Sequence, residues 1–241
     1  MTNLRDIWVY LAANPLLHLT LTLVAYSAGY ALYRRFSFNP IFNPVLIAVA
    51  LVVTILLLTG TSYQTYFQGA QFVHFLLGPA TVALAVPLYR HMERVRRSGL
   101  AVFASIIVGS ITAAASAIAI VWLLGGSRYS IISIAPKSVT AAVAMGIAEQ
   151  LGGLPSLTAA LVILTGILGA MLGPAILNLL GIKDWAARGL AMGVASHGIG
   201  TARALQVNEV AGAFAGLAMG LNALATSVLL PALWHLLFGG A

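Results

Sequence analysis

The chain has 241 residues, of which 61% are hydrophobic and only 7% are charged, and its formal net charge is +7 at pH 7. A typical soluble domain carries about 25% charged residues, whereas this chain repeats apolar stretches near the roughly 20 residues that cross a bilayer. The composition therefore predicts one integral membrane domain over residues 1–241. The positive charge does not indicate nucleic-acid binding, because the arginines cluster at the ends of apolar segments as the positive-inside rule describes.

No enzyme signature is present in the sequence. The chain has no cysteine, which excludes disulfides, thiolate metal sites and cysteine nucleophiles. The histidines are far apart and form no ligand-spaced pair, so we expect neither a metal nor a cofactor. Ser196 and His197 are adjacent, but no carboxylate is placed to orient the imidazole as a hydrolase triad requires. We therefore expect no catalytic activity.

The apolar segments predict an all-α membrane protein with about six full transmembrane helices and two short or re-entrant helices. The full spans are predicted at residues 14–33, 41–59, 72–89, 100–124, 157–180 and 210–238. The short segments are residues 139–151 and 189–205, and the pattern leaves open whether each one crosses the membrane or re-enters.

The basic residues bear on the topology. If both Arg34–Arg35 and Arg90–Arg97 lie in the cytoplasm, re-entry of residues 139–151 places Lys183 and Arg188 there too, so the positive-inside rule favours re-entry. A short internal match, in which Leu77–Ala80 repeats as Leu172–Ala175, leaves two inverted repeats as an option.

Two short polar runs interrupt the apolar sequence, and they are the main functional clue. The first contains Lys137, Ser138 and Thr140. The second contains Ser196, His197, Gly198, Gly200, Thr201 and Arg203. Charged residues within membrane segments are costly and commonly mark substrate or ion pathways, and a half-helix N-terminus can bind a carboxylate.

The pattern predicts one buried anion site made by these two runs. Lys137 and Arg203 would neutralise a carboxylate, and the hydroxyl groups and helix N-termini would bind it. His197 could carry a coupled proton, because the ordinary pKa of histidine lies near physiological pH. The alternatives remain open: Lys137 can be a lysine that extends to the membrane surface, and His197 and Arg203 can bond to backbone carbonyls.

Two further polar residues are less specific. Glu149 could pair with Lys137 or Arg203 and take part in proton coupling, or it could face water at the end of its helix. Asn222 lies in the middle of the last span, where a hydrogen bond between helices is expected.

At these residues the chain resembles the LrgB/CidB family of bacterial membrane proteins. The resemblance is carried by PKSVT, AMGIAEQLGGLPSLTA, VILTGILGA, ARGLAMGVASHGIGTARAL and GAFAGLAMGLN, and earlier by TGTSYQTYFQGA and LLGPATVALAVPLY. One departure concerns the first short helix, where Thr140–Val143 reads TAAV and family members often read TTPI, so the helix break is expected to be less sharp here.

The resemblance implies a multi-pass protein of the bacterial inner membrane and two descriptions of function. One is a secondary transporter of small carboxylates of the pyruvate, glycolate or glycerate type, with proton coupling as an option. The other is a holin- or antiholin-like regulator of murein hydrolase activity and lysis, acting with a small LrgA/CidA-type membrane partner. The buried Lys137, His197 and Arg203 favour transport as the molecular activity. We also expect a homo-oligomer and no nucleic-acid partner.

Overall fold

The computed structural model describes residues 14–238, and the described part of the chain contains helices and turns but no strand. It confirms the all-α prediction. The chain divides into two compact units, with the boundary between Ala83 and Leu84. The expectation of a single domain over residues 1–241 stays a prediction, and each unit is described by itself.

The first unit contains four α-helices within its described residues. They are α1 (Pro15–Arg35), α2 (Pro44–Thr59), α3 (Tyr63–Phe75) and α4 (Leu77–Ala83), with a 3-10 turn at Pro40–Phe42 between the first two. Local sequence explains where α1 and α2 begin. Each has proline in its first turn, preceded by Asn14 or Asn43, whose side-chain oxygen accepts a backbone N–H of that turn.

The second unit carries both polar runs. It consists of α5 (Ala85–Arg90), α6 (Met92–Arg97), α7 (Gly99–Leu123), α8 (Arg128–Ile134), α9 (Ala141–Gln150), α10 (Pro155–Leu179), α11 (Trp185–Val207) and α12 (Glu209–Phe238). Among its helices, α11 and α12 make the most extensive contact.

Five helical segments of the described chain are long and apolar enough to cross a bilayer, and the protein is multi-pass. They are Pro15–Arg35, Tyr63–Arg90, Gly99–Leu123, Pro155–Leu179 and Glu209–Leu236. The apolar helix α2 has 16 residues and is shorter. The segment Tyr63–Arg90 begins nine residues before the predicted start of the 72–89 span, because residues 63–71 are already helical.

Helix α11 is two helices joined at His197. That residue has φ 39° and ψ −132°, which differ from the values of any regular helix. Before His197, contacts with α12 advance in the same direction along both helices. A Cβ on Gly189 would lie 2.9 Å from the Ala211 Cα, and a Cβ on Gly193 would lie 2.9 Å from the Ala215 Cα. The first arm therefore runs parallel to α12.

After His197 the contacts run the other way. The Thr201 hydroxyl donates to the Ala215 carbonyl at 3.3 Å, and a Cβ on Gly212 would lie 2.7 Å from the Leu205 Cα. The residue number rises along α11 while the contacted position on α12 falls, so the second arm is antiparallel to α12. We call α11 the second hairpin. Its tip is at His197.

Two ion pairs place both ends of the second hairpin on the same side. Arg94 contacts Asp184, just before the hairpin, at 2.6 Å, and Arg90 contacts Glu209, just after it, at 3.0 Å. These exposed pairs contribute little stability, of the order of 0–1 kcal/mol each. They show that the chain enters and leaves the second hairpin beside the same basic segment.

Helices α8 and α9, with the turn at residues 135–140, form a first hairpin. The Leu154 amide donates to the Ser133 hydroxyl at 2.9 Å. A Cβ on Gly153 would lie 2.8 Å from the Ile132 Cγ2. The chain that leaves at Ile132 therefore returns beside it about twenty residues later. Lys137 and Ser138 lie at the tip.

The open ends of the two hairpins lie at opposite ends of α12, and their tips point toward its middle. The core of the first hairpin includes Leu230 and Trp234 near the end of α12, whereas the second hairpin opens beside Glu209 at its start. Helix α7 runs parallel to α12, because Ser110 bonds to Thr226 while the later residues Trp122 and Trp234 line one cavity. The first arm of the second hairpin is also parallel to α12.

Helix α10 runs antiparallel to that arm, since Gly166 contacts His197 and the later Gly173 contacts the earlier Met192. Helix α7 is therefore followed by a hairpin that opens at one end of α12, and α10 is followed by a hairpin that opens at the other end. The two helix–hairpin pairs are alike but have opposite orientations relative to α12. Inverted pairs with broken helices are typical of secondary transporters. The repeated Leu-Gly-Pro-Ala motif does not mark these pairs, because its first copy, at Leu77–Ala80, lies in the first unit.

Candidate functional site

Asn222 joins the tips of the two hairpins. Its side chain is 1% exposed, and its Nδ2 donates to the Ser138 carbonyl and to the Val194 carbonyl, both at 3.2 Å. These carbonyls therefore lie within two hydrogen-bond lengths of each other. Asn222 is 13 residues into α12, about 20 Å along the helix axis, so the tips meet near the middle of a transmembrane helix. The predicted hydrogen bond between helices is confirmed, and the residue also connects the two polar runs.

Lys137 brings positive charge to this meeting point. The side chain is half-buried at the tip of the first hairpin, and its Nζ donates to the Ser138 hydroxyl at 3.2 Å. Asn222 bonds to the Ser138 carbonyl and also to the carbonyl of Val194, which is three residues before His197. The structure thus brings together Lys137, Ser138 and His197, which lie about sixty residues apart in the sequence.

His197 is held against α10. Its Nε2 lies 2.9 Å from the Val162 carbonyl, and the residue is 5% exposed. The imidazole occupies space that the absence of a side chain at Gly166 provides, since a Cβ there would lie 2.7 Å from its Cε1 and 2.8 Å from its Nε2. One ring nitrogen therefore bonds to a backbone carbonyl, the alternative that the sequence left open.

The backbone at His197 is strained. Its φ of 39° and ψ of −132° are close to the first central position of a type II′ turn, where glycine is preferred. A non-glycine residue held in such a region costs of the order of 1–3 kcal/mol, and such residues concentrate at functional sites. The chain has glycine immediately after, at Gly198, but histidine at the strained position.

Two helix N-termini point toward the tips. Helix α9 begins at Ala141, directly after the first tip, and the second arm of α11 begins at Gly198, directly after His197. Thr140 makes no side-chain capping bond at the start of α9. A helix N-terminus carries about half a positive charge and unpaired N–H groups. Together with Lys137, the two N-termini make the meeting point suited to an anion.

The hydroxyl groups near the second tip have different roles. Thr201 is 1% exposed, and its hydroxyl lies 2.8 Å from the His197 carbonyl and 3.3 Å from the Ala215 carbonyl, so it braces the turn. Ser196 is also 1% exposed, but its Oγ has no hydrogen-bond partner among the described residues. It packs against Gly169 of α10.

Arg203 and Glu149 lie away from the tips. Arg203 lines a crevice with Trp185 and Arg188 of the first arm, so it faces the open end of the second hairpin. Glu149 is exposed near the end of α9 and is in no ion pair within the described residues. Gly200 packs against Ser196 inside the hairpin. The roles predicted for Arg203 and Glu149 stay predictions.

Three contributors to the site were not identified from the sequence: Val162, Gly166 and Gly169 of α10. The sequence feature that could have indicated the two glycines is their spacing within ILTGILGA, since small residues at positions 166 and 169 allow another helix to approach closely. No such feature marks Val162. The partner that approaches is a hairpin tip, which lies about thirty residues further along the chain and cannot be read from that spacing.

The chain matches the LrgB-like family over residues 22–236. This chain belongs to the LrgB-like family. It is 34% identical over 220 residues to a "Holin-like protein CidB" of Staphylococcus epidermidis and to one of Staphylococcus aureus, covering 91% of this chain and 96% of each relative. It is 36% identical to "Uncharacterized protein YxaC" of Bacillus subtilis, covering 91% of this chain and 95% of the relative. No solved structure matches the chain.

Membership of the LrgB-like family confirms the resemblance read from the motifs. Neither the family description nor these relatives' names is that of an enzyme, and the absence of catalytic activity in this chain stays a prediction. Both hairpins of this LrgB-like protein lie within the residues that match the family.

Proposed function

We propose that this protein acts in a holin-like membrane system of the bacterial inner membrane, and that its molecular activity is to carry a small organic anion across the bilayer. The first part rests on the family and on relatives named as holin-like proteins. In this system it would assemble as a homo-oligomer with a small LrgA/CidA-type membrane protein and influence murein hydrolase activity. The comparisons support this part better than they support carboxylate transport.

The second part rests on one observation, the junction of two opposed hairpin tips at Asn222 beside Lys137. Many secondary transporters bind their substrate at the meeting point of two broken helices. The charge is suited to a monocarboxylate of the pyruvate, glycolate or glycerate type. His197 would couple protons, and Ser196, with its buried Oγ, would donate to the substrate.

A regulator that transports nothing is the competing function, and the relatives' names fit it. Such a protein needs two hairpins only for its fold, so its function should survive loss of the Lys137 charge. A carrier should not survive this loss, because an ionic hydrogen bond to a carboxylate contributes about 1.5–3 kcal/mol, or more than tenfold in affinity. Substitution at the tips therefore separates the two functions.

The test is uptake of radiolabelled pyruvate, glycolate and glycerate into proteoliposomes, with and without a pH gradient. The variant is Lys137→Met, and the matched control is Lys183→Met, because Lys183 is the chain's other lysine and is exposed outside both hairpins. We expect saturable uptake that falls at least tenfold in Lys137→Met and is unchanged in the control. His197→Ala and Arg203→Ala test the remaining assignments.

Absence of uptake with this protein alone calls for the same assay with an LrgA/CidA-type partner in the vesicles. If uptake is still absent, or if Lys137→Met transports like the control, the carrier proposal is wrong. Murein hydrolase activity in cells that produce Lys137→Met then measures the regulatory function directly.

A further inference from the structure

A large apolar groove lies beside the first hairpin and away from the tips. It has a volume of about 960 Å³ and is bounded by one face of α7, by the second half of α12 and by the start of α8. We propose that this groove binds an anionic membrane lipid, with its acyl chains along α7 and its headgroup at Arg128.

The groove exists because one face of α7 is built from small side chains. Ala114, Ala115 and Ala119 line it between larger residues, and α12 contributes leucines on the opposite wall, so the two helices diverge without filling the space. Between the Ser110–Thr226 pair and Arg128, the walls are formed by alanine, isoleucine, leucine and tryptophan side chains, which offer little to a soluble metabolite. They suit a hydrocarbon chain.

At the deep end of the groove, an occupant does not need to offer a hydrogen-bonding group. Ser110 and Thr226 lie there, and their hydroxyl groups bond to each other at 2.8 Å, so each has a partner already. From Ser110 to Trp122 the groove follows twelve residues of α7, about 18 Å. This length is close to one leaflet of a bilayer, whose full hydrocarbon core is roughly 30 Å thick. An acyl chain would therefore end near the Ser110–Thr226 pair.

The mouth of the groove has the chemistry of a membrane interface. The exposed residues Trp122 and Arg128 lie there, and tryptophans are enriched at the level of the lipid headgroups. Arg128 is exposed and forms no ion pair among the described residues. A guanidinium at this level pairs with a phosphate or another anionic headgroup, which favours an anionic lipid over a zwitterionic lipid.

Native mass spectrometry of the purified full chain tests the proposal, with phosphatidylglycerol and phosphatidylcholine of identical acyl chains as the probes. Arg128→Gln removes the headgroup contact, and Ala115→Trp fills the groove. Ala104→Trp is the matched control, because Ala104 is exposed on α7 but does not line the groove.

We expect the chain to retain phosphatidylglycerol about fivefold more strongly than phosphatidylcholine, as one arginine at an anionic surface provides. Arg128→Gln should remove this preference. Ala115→Trp should reduce the retention of both lipids, while Ala104→Trp should not. Equal retention of the two lipids by the unaltered chain overturns the proposal. So does full retention by Ala115→Trp, which would place the bound lipid outside the groove. If Ala115→Trp does not fold, Arg128→Gln alone decides.

Discussion

Replacing Asn222 by alanine tests whether the two hairpin tips act as one site. The substitution removes both Nδ2 hydrogen bonds, to the Ser138 and Val194 carbonyls. Side-chain hydrogen bonds between membrane helices contribute about 0.6 kcal/mol on average and about 1.7 kcal/mol at most. Two such bonds give an expected loss of about 1–3 kcal/mol in the free energy of unfolding. Removing the buried Asn222 Oδ1, which has no partner among the described residues, reduces the loss.

Thr226→Ala is the matched control on the same helix. Thr226 is buried one turn further along α12 and bonds to Ser110 at 2.8 Å, so its removal costs about one such bond, roughly 0.6–1.7 kcal/mol. The free energies of unfolding of the two variants should therefore differ by no more than about one such bond. They should differ strongly in uptake, because only Asn222→Ala releases the tips from each other.

The assay measures thermal unfolding of each purified variant and its uptake in proteoliposomes at a temperature where all variants are folded. We expect Asn222→Ala to lose at least tenfold in uptake, and Thr226→Ala to keep most of it. If both variants transport equally well, the tips do not need Asn222, and the reasoning that places the site at their junction is refuted.

Two further predictions concern the backbone. In this cysteine-free chain, single cysteines at the hairpin ends should be labelled from one side of the membrane for Lys183 and Gln206 and from the opposite side for Ser127 and Gln150. A straight helix of 23 residues, about 35 Å long, would instead put the two ends of α11 on opposite sides, and labelling in that pattern would contradict the hairpin. Gly166→Ala should displace the His197 imidazole and destabilise the protein by about 1–3 kcal/mol, as overpacking does, and uptake should fall with it. Gly146→Ala is its control, because a Cβ at Gly146 meets no atom within 4 Å. Equal unfolding temperatures of the two glycine variants would show that His197 tolerates displacement.

The positions of the candidate site residues were readable because a membrane makes polar residues conspicuous. A lysine, a histidine and an arginine within apolar sequence are recognisable as candidate site residues, since each is costly in lipid. The same reasoning could not separate Arg203 from Lys137 and His197. Arg203 is six residues from His197, but the turn at His197 directs the second arm back toward the open end of the hairpin, and this direction depends on contacts with α12.

The sequence by itself determined the class of the protein, the approximate bounds of its spans and the two polar runs, because hydropathy and helix length are local properties of the chain. Only the tertiary structure decided that α11 folds back on itself. A helical pattern reads the same for one straight helix and for two antiparallel arms. The choice depends on contacts such as that of Gly193 with Ala215. Glycine is needed at position 193 because the backbone of another helix approaches there, and the sequence alone does not show which backbone that is. The meeting of the tips at Asn222 was decided in the same way, because one amide group reaches two carbonyls that the sequence places 56 residues apart.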